Sequence, residues 1–133
     1  MKPATEWGPA MAKDDDRTKV VEHVSNMPTY APPGHSGTSN VRLVDRAFAG
    51  DYEMVLGTIE PGGTAARHSH GGETQAMYVI AGRARVALGV APAEIHGAGT
   101  IFRIPPGLDH AVESVGPDPL RLLIVYSPPL PRG

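Results

Sequence analysis

The sequence predicts an all-β protein, an antiparallel barrel or sandwich, on three observations. From about residue 41 onward, short runs rich in Val, Ile, Leu and Tyr recur, and they are of strand rather than helix length. Between them stand clusters of Gly, Pro, Asn and Asp, the residues that turns require. With 16 Gly and 14 Pro in 133 residues, the chain is rich enough in these for many turns, and none of the runs carries a convincing helical period.

The candidate strands are Val41–Phe48, Tyr52–Ile59, Ala65–His70, Gln75–Ala81, Arg83–Leu88, Ala93–His96, Thr100–Ile104, His110–Val115 and Leu120–Tyr126. Glu60-Pro61-Gly62-Gly63 reads as a strong turn, and further breaks fall at Gly71-Gly72, Gly82, Gly89, Gly97–Gly99, Pro105–Asp109 and Gly116–Pro119. Residues 1–40 differ in character, with the acidic run Asp14-Asp15-Asp16 and the Pro/Gly segment from Tyr30 to Gly37. The acidic run reads as solvated, or as the first turn of a short helix through Arg17–His23. The Pro/Gly segment cannot be a helix interior or a central strand and is read as an ordered arm along the barrel surface or as a disordered tail. This gives one domain: an arm over 1–40, a barrel over 41–127 and a Pro-rich tail over 128–133.

Composition excludes several classes. Lys plus Arg number 12 against 14 Asp plus Glu, with no basic cluster, which argues against a nucleic-acid or membrane-surface partner. With no cysteine, disulfides, thiolate metal sites and Cys nucleophiles are ruled out, so any metal must be held by nitrogen and oxygen. No signal-peptide core or membrane-length apolar window is present, and a cytoplasmic location is expected.

His68 and His70, two apart, point to the same face of a strand and so suit two ligands on one ion. Alone, such a pair is a weak signal. The surrounding pattern strengthens it: Gly62-x5-His68-x-His70-x4-Gln75-x6-Gly82, followed by Gly99-x5-Pro105-x-Gly107-x2-His110. In these spacings the sequence resembles the cupin superfamily, matching the first motif at both glycines and both histidines, and the second at both glycines, the proline and the histidine. The resemblance implies a single-domain double-stranded β-helix, or jelly-roll barrel, over roughly 41–127. It also implies one divalent metal ion per chain, held by His68, His70, His110 and a fourth ligand at Gln75, where the family usually has Glu. Ser114 stands where the second motif often closes with Asn.

Gln75 bears on the chemistry. Its amide oxygen is neutral, so the ion would keep its full charge and be a stronger Lewis acid, though less tightly held. Three imidazoles and one oxygen leave open positions, an arrangement of catalytic type suited to Zn, Ni, Fe, Mn or Co. Glu73 is the competing ligand, or else a solvated residue or a general base beside the metal. Met77 and Val79 are expected to face inward from the Gln75 strand, with Tyr78 and Ile80 on its other face. His23 and His96 are read as solvent-exposed. His35 is read the same way, or as capping the barrel mouth. Arg67 and Asp109 should point away from the histidine face.

An open centre of this kind points to an enzyme acting on an oxygenated small-molecule substrate, and the resemblance implies isomerase, lyase or cyclase chemistry on a sugar acid, polyketide or aromatic intermediate. A dioxygenase using Fe or Ni, and a binding module without catalysis, are the alternatives. A homodimer is expected, because a small barrel of this family often covers its exposed outer faces by pairing.

Overall fold

The fold was analysed in a computed structural model, which describes residues 20–131. It is all-β and antiparallel, as the sequence predicts: β1 (His35–Val44), β2 (Glu53–His68), β3 (Thr74–Ala81), β4 (Ala84–Leu88), β5 (Glu94–His96), β6 (Ile101–Ile104), β7 (His110–Ser114) and β8 (Leu120–Ser127). One 3-10 turn, Val24–Asn26, precedes them, capped by the His23 side chain, which accepts from the Ser25 N–H. The acidic run and residues 17–19 of the Arg17–His23 helix expectation lie outside the described residues, and the described part, 20–23, is not helical. Among the described residues no helix is long and apolar enough to cross a membrane.

Two boundaries differ from expectation. The first strand begins at His35 and ends at Val44, so part of the Pro/Gly segment is itself paired: it enters the sheet beside β2 as soon as the turn at Gly34 is complete. The Glu60–Gly63 segment does not separate two strands. It is a bend inside one 16-residue strand, β2, with Gly62 at φ +85°. Before the bend β2 pairs with β8, and after it with β7, so one strand passes from one sheet layer to the other. β1 follows it around this corner, with a register shift between Ser36 and Thr38.

The hydrogen-bonded order is β5-β4-β7-β2-β8-β3-β6, with β1 also on β2. Register aligns inward residues into rungs across β2, β8 and β3. Val55–Ile124–Met77, Gly57–Leu122–Val79 and Ile59–Leu120 fill the interior. Above them lies a polar rung, Glu53–Tyr126–Gln75. Met77 and Val79 face inward as expected. On the opposite face of β3, Tyr78 and Ile80 are exposed, together with Ile101 of β6, the cross-strand partner of Tyr78.

A three-histidine cavity

The barrel encloses a cavity of about 680 Å³, within the range of pockets that hold drug-sized ligands. Its floor is apolar, with Ile59, Met77, Val112, Leu122 and Ile124. His68, His70, His110 and Gln75 all line it.

Local structure brings the three imidazoles together. His68 ends β2 and is directly paired with His110, the first residue of β7. His70 lies past the strand end, so strand alternation does not place it. Instead its carbonyl accepts a 2.8 Å hydrogen bond from the Gly107 N–H. That bond ties the His70 loop to the turn that delivers His110, and so joins the two halves of the sequence pattern. Ring centroids are 4.8 Å apart for His68 and His70, 4.3 Å for His68 and His110, and 5.3 Å for His70 and His110. One donor nitrogen from each ring lies within 4.8 Å of the others.

Their hydrogen bonds leave one nitrogen of the paired histidines free to coordinate. Nδ1 of His68 is 2.7 Å from the Ala66 carbonyl, and Nδ1 of His110 is 2.9 Å from that of Leu108. A carbonyl can only accept, so each Nδ1 carries the proton and each Nε2 presents a lone pair. Among the described residues, Nε2 of His110, Nε2 of His70 and Oε1 of Gln75 are all buried without a hydrogen-bond partner. Orphaned buried polar atoms are rare and costly, and these three belong to residues that line one cavity. Burial, reinforced by the charges of His68 and His110 against a small opposing effect of Glu73, lowers the His70 pKa to about 4. Burial also lowers that of His110, opposed by its bond to Leu108. Both rings are therefore neutral at pH 7, the form that binds metal. The donor set fits a divalent ion.

Glu73 is not among the residues lining the cavity, nor in the histidine group. It is near enough to act on His70 only through its charge. The carboxylate that does line the cavity is Glu53, 3 % exposed and on the same rung as Gln75. Its signal in the sequence was parity, since Glu53 shares a phase with Val55 and Ile59. The ring of Tyr126, between Glu53 and Gln75 on that rung, packs edge-on against His70 at 5.4 Å. Burial raises its pKa well above the ordinary phenol value, and the charges of Tyr30 and Glu53 act in the same direction.

His35 lines the cavity, with its ring 6.4 Å from that of His68 and its Nδ1 3.1 Å from Thr38 Oγ1. Burial first, then the charge of His68, lowers its pKa. His23 is exposed, and His96 is half-buried against Phe102 and Glu94. Arg67 points outward and donates to the Gly89 carbonyl, and Asp109 is exposed. At the other end of the chain, the Arg46 guanidinium donates to the Leu130 carbonyl, and Leu130 and Pro131 reach the cavity lining.

Comparison with known proteins agrees with this architecture. Residues 55–126 match the family model described as the Cupin domain. A curated relative, Germin-like protein subfamily T member 3 of Arabidopsis thaliana, is 40 % identical over 77 residues, 55 % of this chain and 34 % of that protein. The chain thus spans about a third of that relative's length. Among solved structures, the polyketide cyclase RemF from Streptomyces resistomycificus is similar with a TM-score of 0.74 at 22 % identity, covering 86 % of this chain and 82 % of that one. A predicted oxalate decarboxylase from Thermotoga maritima is similar with a TM-score of 0.73 at 20 % identity, covering 81 % and 98 %. At these identities the two structures speak to the fold.

Proposed function

The chain belongs to the cupin family, and we propose that it is a metal-dependent enzyme whose His68, His70, His110 and Gln75 hold one divalent ion against an oxygenated substrate. One observation carries this reading: one nitrogen from each of three imidazoles lies within 4.8 Å of the others, Gln75 lines the same cavity, and among the described residues nothing hydrogen-bonds to Nε2 of His70, Nε2 of His110 or Oε1 of Gln75, all of them buried. When bound, the ion would supply Lewis acidity at a carbonyl or enol oxygen, undiminished by any charged ligand.

The remaining chemistry falls to the chain's own residues. The apolar floor keeps water from the substrate's carbon skeleton and strengthens every polar contact above it. Tyr126 stays protonated at neutral pH and can donate from its hydroxyl to a substrate oxygen. Glu53 supplies a carboxylate on the same rung, placed to take a proton from one substrate atom and return it to another. This assigns to Glu53 the acid–base role that the sequence alone placed at Glu73. The combination suits isomerisation, elimination or cyclisation, in which protons move and no electrons are lost.

The test is turnover of enolisable sugar acids and polyphenolic ketones by metal-reconstituted protein, in air and under argon. Turnover is expected to survive argon and to fall at least about a hundredfold in Glu53→Gln, as for loss of a general base. Turnover that requires oxygen would replace this reading with a dioxygenase. Tight ligand binding without turnover on any metal would make the protein a binding module.

The fourth ligand is tested separately. Gln75→Ala should weaken metal binding about tenfold or more, whereas Glu73→Ala should change it less than about twofold. Equilibrium competition against a chromophoric chelator measures both. The reverse order would make Glu73 the ligand.

A further inference from the structure

We propose that His35 is a specificity-determining residue whose Nε2 accepts a hydrogen bond from a substrate hydroxyl, and that the substrate is an α-hydroxy carbonyl compound or its enediol. This rests on the reading of the cavity as the substrate site and adds the substrate's class to it.

A local irregularity of β1 brings His35 to the cavity. Thr38, Asn40 and Arg42 line the cavity at every second position, as strand alternation requires. His35 is three residues before Thr38, so an unbroken strand would turn it to the opposite face. The register shift between Ser36 and Thr38 reverses this. His35 pairs with Ala65 and Thr38 pairs with Ile59, and all four residues line the cavity. Re-aiming a side chain is a common use of such a bulge. Glycines make room for it: Gly37 has φ +62°, and a Cβ at Gly63 would lie 2.7 Å from the Ser36 carbonyl oxygen.

A short chain of hydrogen bonds then fixes the tautomer. The Thr38 hydroxyl donates to the Ser36 carbonyl at 3.2 Å. A hydroxyl has one proton, so towards His35 the same oxygen can only accept. Across the 3.1 Å contact between them, Nδ1 of His35 is therefore the donor. The neutral ring keeps its lone pair on Nε2, the same tautomer as in His68 and His110.

That lone pair asks the substrate for a donor. The nitrogens that lie within 4.8 Å of one another belong to His68, His70 and His110, and His35 stands beside this group with its ring 6.4 Å from that of His68. A substrate whose carbonyl or enol oxygen is held at the three histidines thus meets His35 at the same end of the molecule. A ketone, ether or carboxylate oxygen there would set lone pair against lone pair, whereas a hydroxyl satisfies it. Sites that hydrogen-bond a substrate hydroxyl discriminate strongly against analogues that lack it. The acceptor oxygen at the histidines and the donor at His35 together describe a hydroxyl beside a carbonyl, and the apolar floor takes the rest of the skeleton.

Two probes of similar shape isolate the hydroxyl: phenacyl alcohol, an aromatic α-hydroxy ketone, and propiophenone, in which a methyl group replaces the hydroxyl. Both are titrated calorimetrically into the full chain, zinc-loaded and after chelation. The affinity of phenacyl alcohol relative to propiophenone is expected to fall about fivefold from wild type to His35→Phe, the worth of one neutral hydrogen bond. His35→Gln, whose amide oxygen can accept, should restore part of it. Thermal melts check that each variant is folded. A relative affinity unchanged in folded His35→Phe overturns the proposal, and it is the result expected if zinc alone chelates both oxygens of phenacyl alcohol. Proton–nitrogen correlation NMR tests the wild type without any variant. The proton should reside on Nδ1 of His35, and the Nε2 resonance should shift with phenacyl alcohol and not with propiophenone. A proton resident on Nε2 overturns the proposal as well. Zinc that leaves the affinity of both ketones unchanged defeats the metal reading alone, because the contribution of His35 is also read on chelated protein.

Discussion

His110→Ala is expected to lower bound divalent metal from about one ion per chain to below about a tenth, and to abolish the thermal stabilisation that metal confers on the wild type. The argument begins with a cost. Among the described residues, Nε2 of His70, Nε2 of His110 and Oε1 of Gln75 are buried with no hydrogen-bond partner, each at about 1–3 kcal/mol. An ion that satisfies them binds the folded chain and not the unfolded one. At a free concentration a thousandfold above Kd, the folded state gains about 4 kcal/mol, or roughly 15 °C in melting temperature for a domain of this size. Removing one imidazole removes a donor and breaks the convergence. His68→Ala should behave likewise, and it is the milder change because His68 is half-buried while His110 is 1 % exposed. Metal content by atomic absorption and melts with and without added metal measure both effects. Full metal retention in both variants would sink the assignment of the site. His96→Ala, at a ring packed on Phe102 away from the cavity, should leave both readouts unchanged.

Much of the architecture was legible because turn chemistry and strand period act locally. The glycines and prolines that divide the text do mark corners of the barrel, and His68, His70, Gln75 and His110 do reach one cavity. What could not be read is where pairing overrides local pattern. Pro61-Gly62-Gly63 has the composition of a hairpin turn, yet β2 runs through it, because its two halves find partners in different layers. The cavity's other polar residues were hidden for a related reason. In Val41-Arg42-Leu43, apolar phasing puts the arginine outside, but Val41 is buried on one face of β1 while Arg42 lines the cavity on the other. A lone Glu53 beside the Asp51 turn looks solvated until β8 pairs with it. His35 read as part of an arm because only the β1–β2 pairing shows that its segment is a strand. The candidate metal ligands come from sequence motifs, whereas the residues proposed for acid–base chemistry and for substrate recognition come from tertiary register.

Gly82→Ala is expected to destabilise the fold more than any other single-methyl addition at the motif glycines, by about 3 kcal/mol or more. Two penalties coincide there. Gly82 has φ +84°, a conformation L side chains adopt at a cost of about 1–3 kcal/mol. The added Cβ would also lie 2.5 Å from the Pro119 carbonyl oxygen and 2.8 Å from Leu120 Cα, both backbone atoms at the entry to β8. Backbone cannot swing aside as a side-chain tip can, and Leu120 is fully buried. Relief would have to come from shifting β8, which carries Ile124, Leu122 and Tyr126 into the interior between β2 and β3. A drop of about 10 °C or more in melting temperature follows. Gly99→Ala provides the contrast, because φ is +91° but nothing lies within 4 Å of the added carbon, so only the conformational cost of roughly 1 kcal/mol remains. The two variants separate space from backbone angle, and equal melting temperatures would show that the Gly82–Pro119 approach does not constrain the barrel. Because Gly82 lies outside the cavity lining, folded Gly82→Ala at low temperature should still take up one ion per chain, so its defect is in holding the site together rather than in binding.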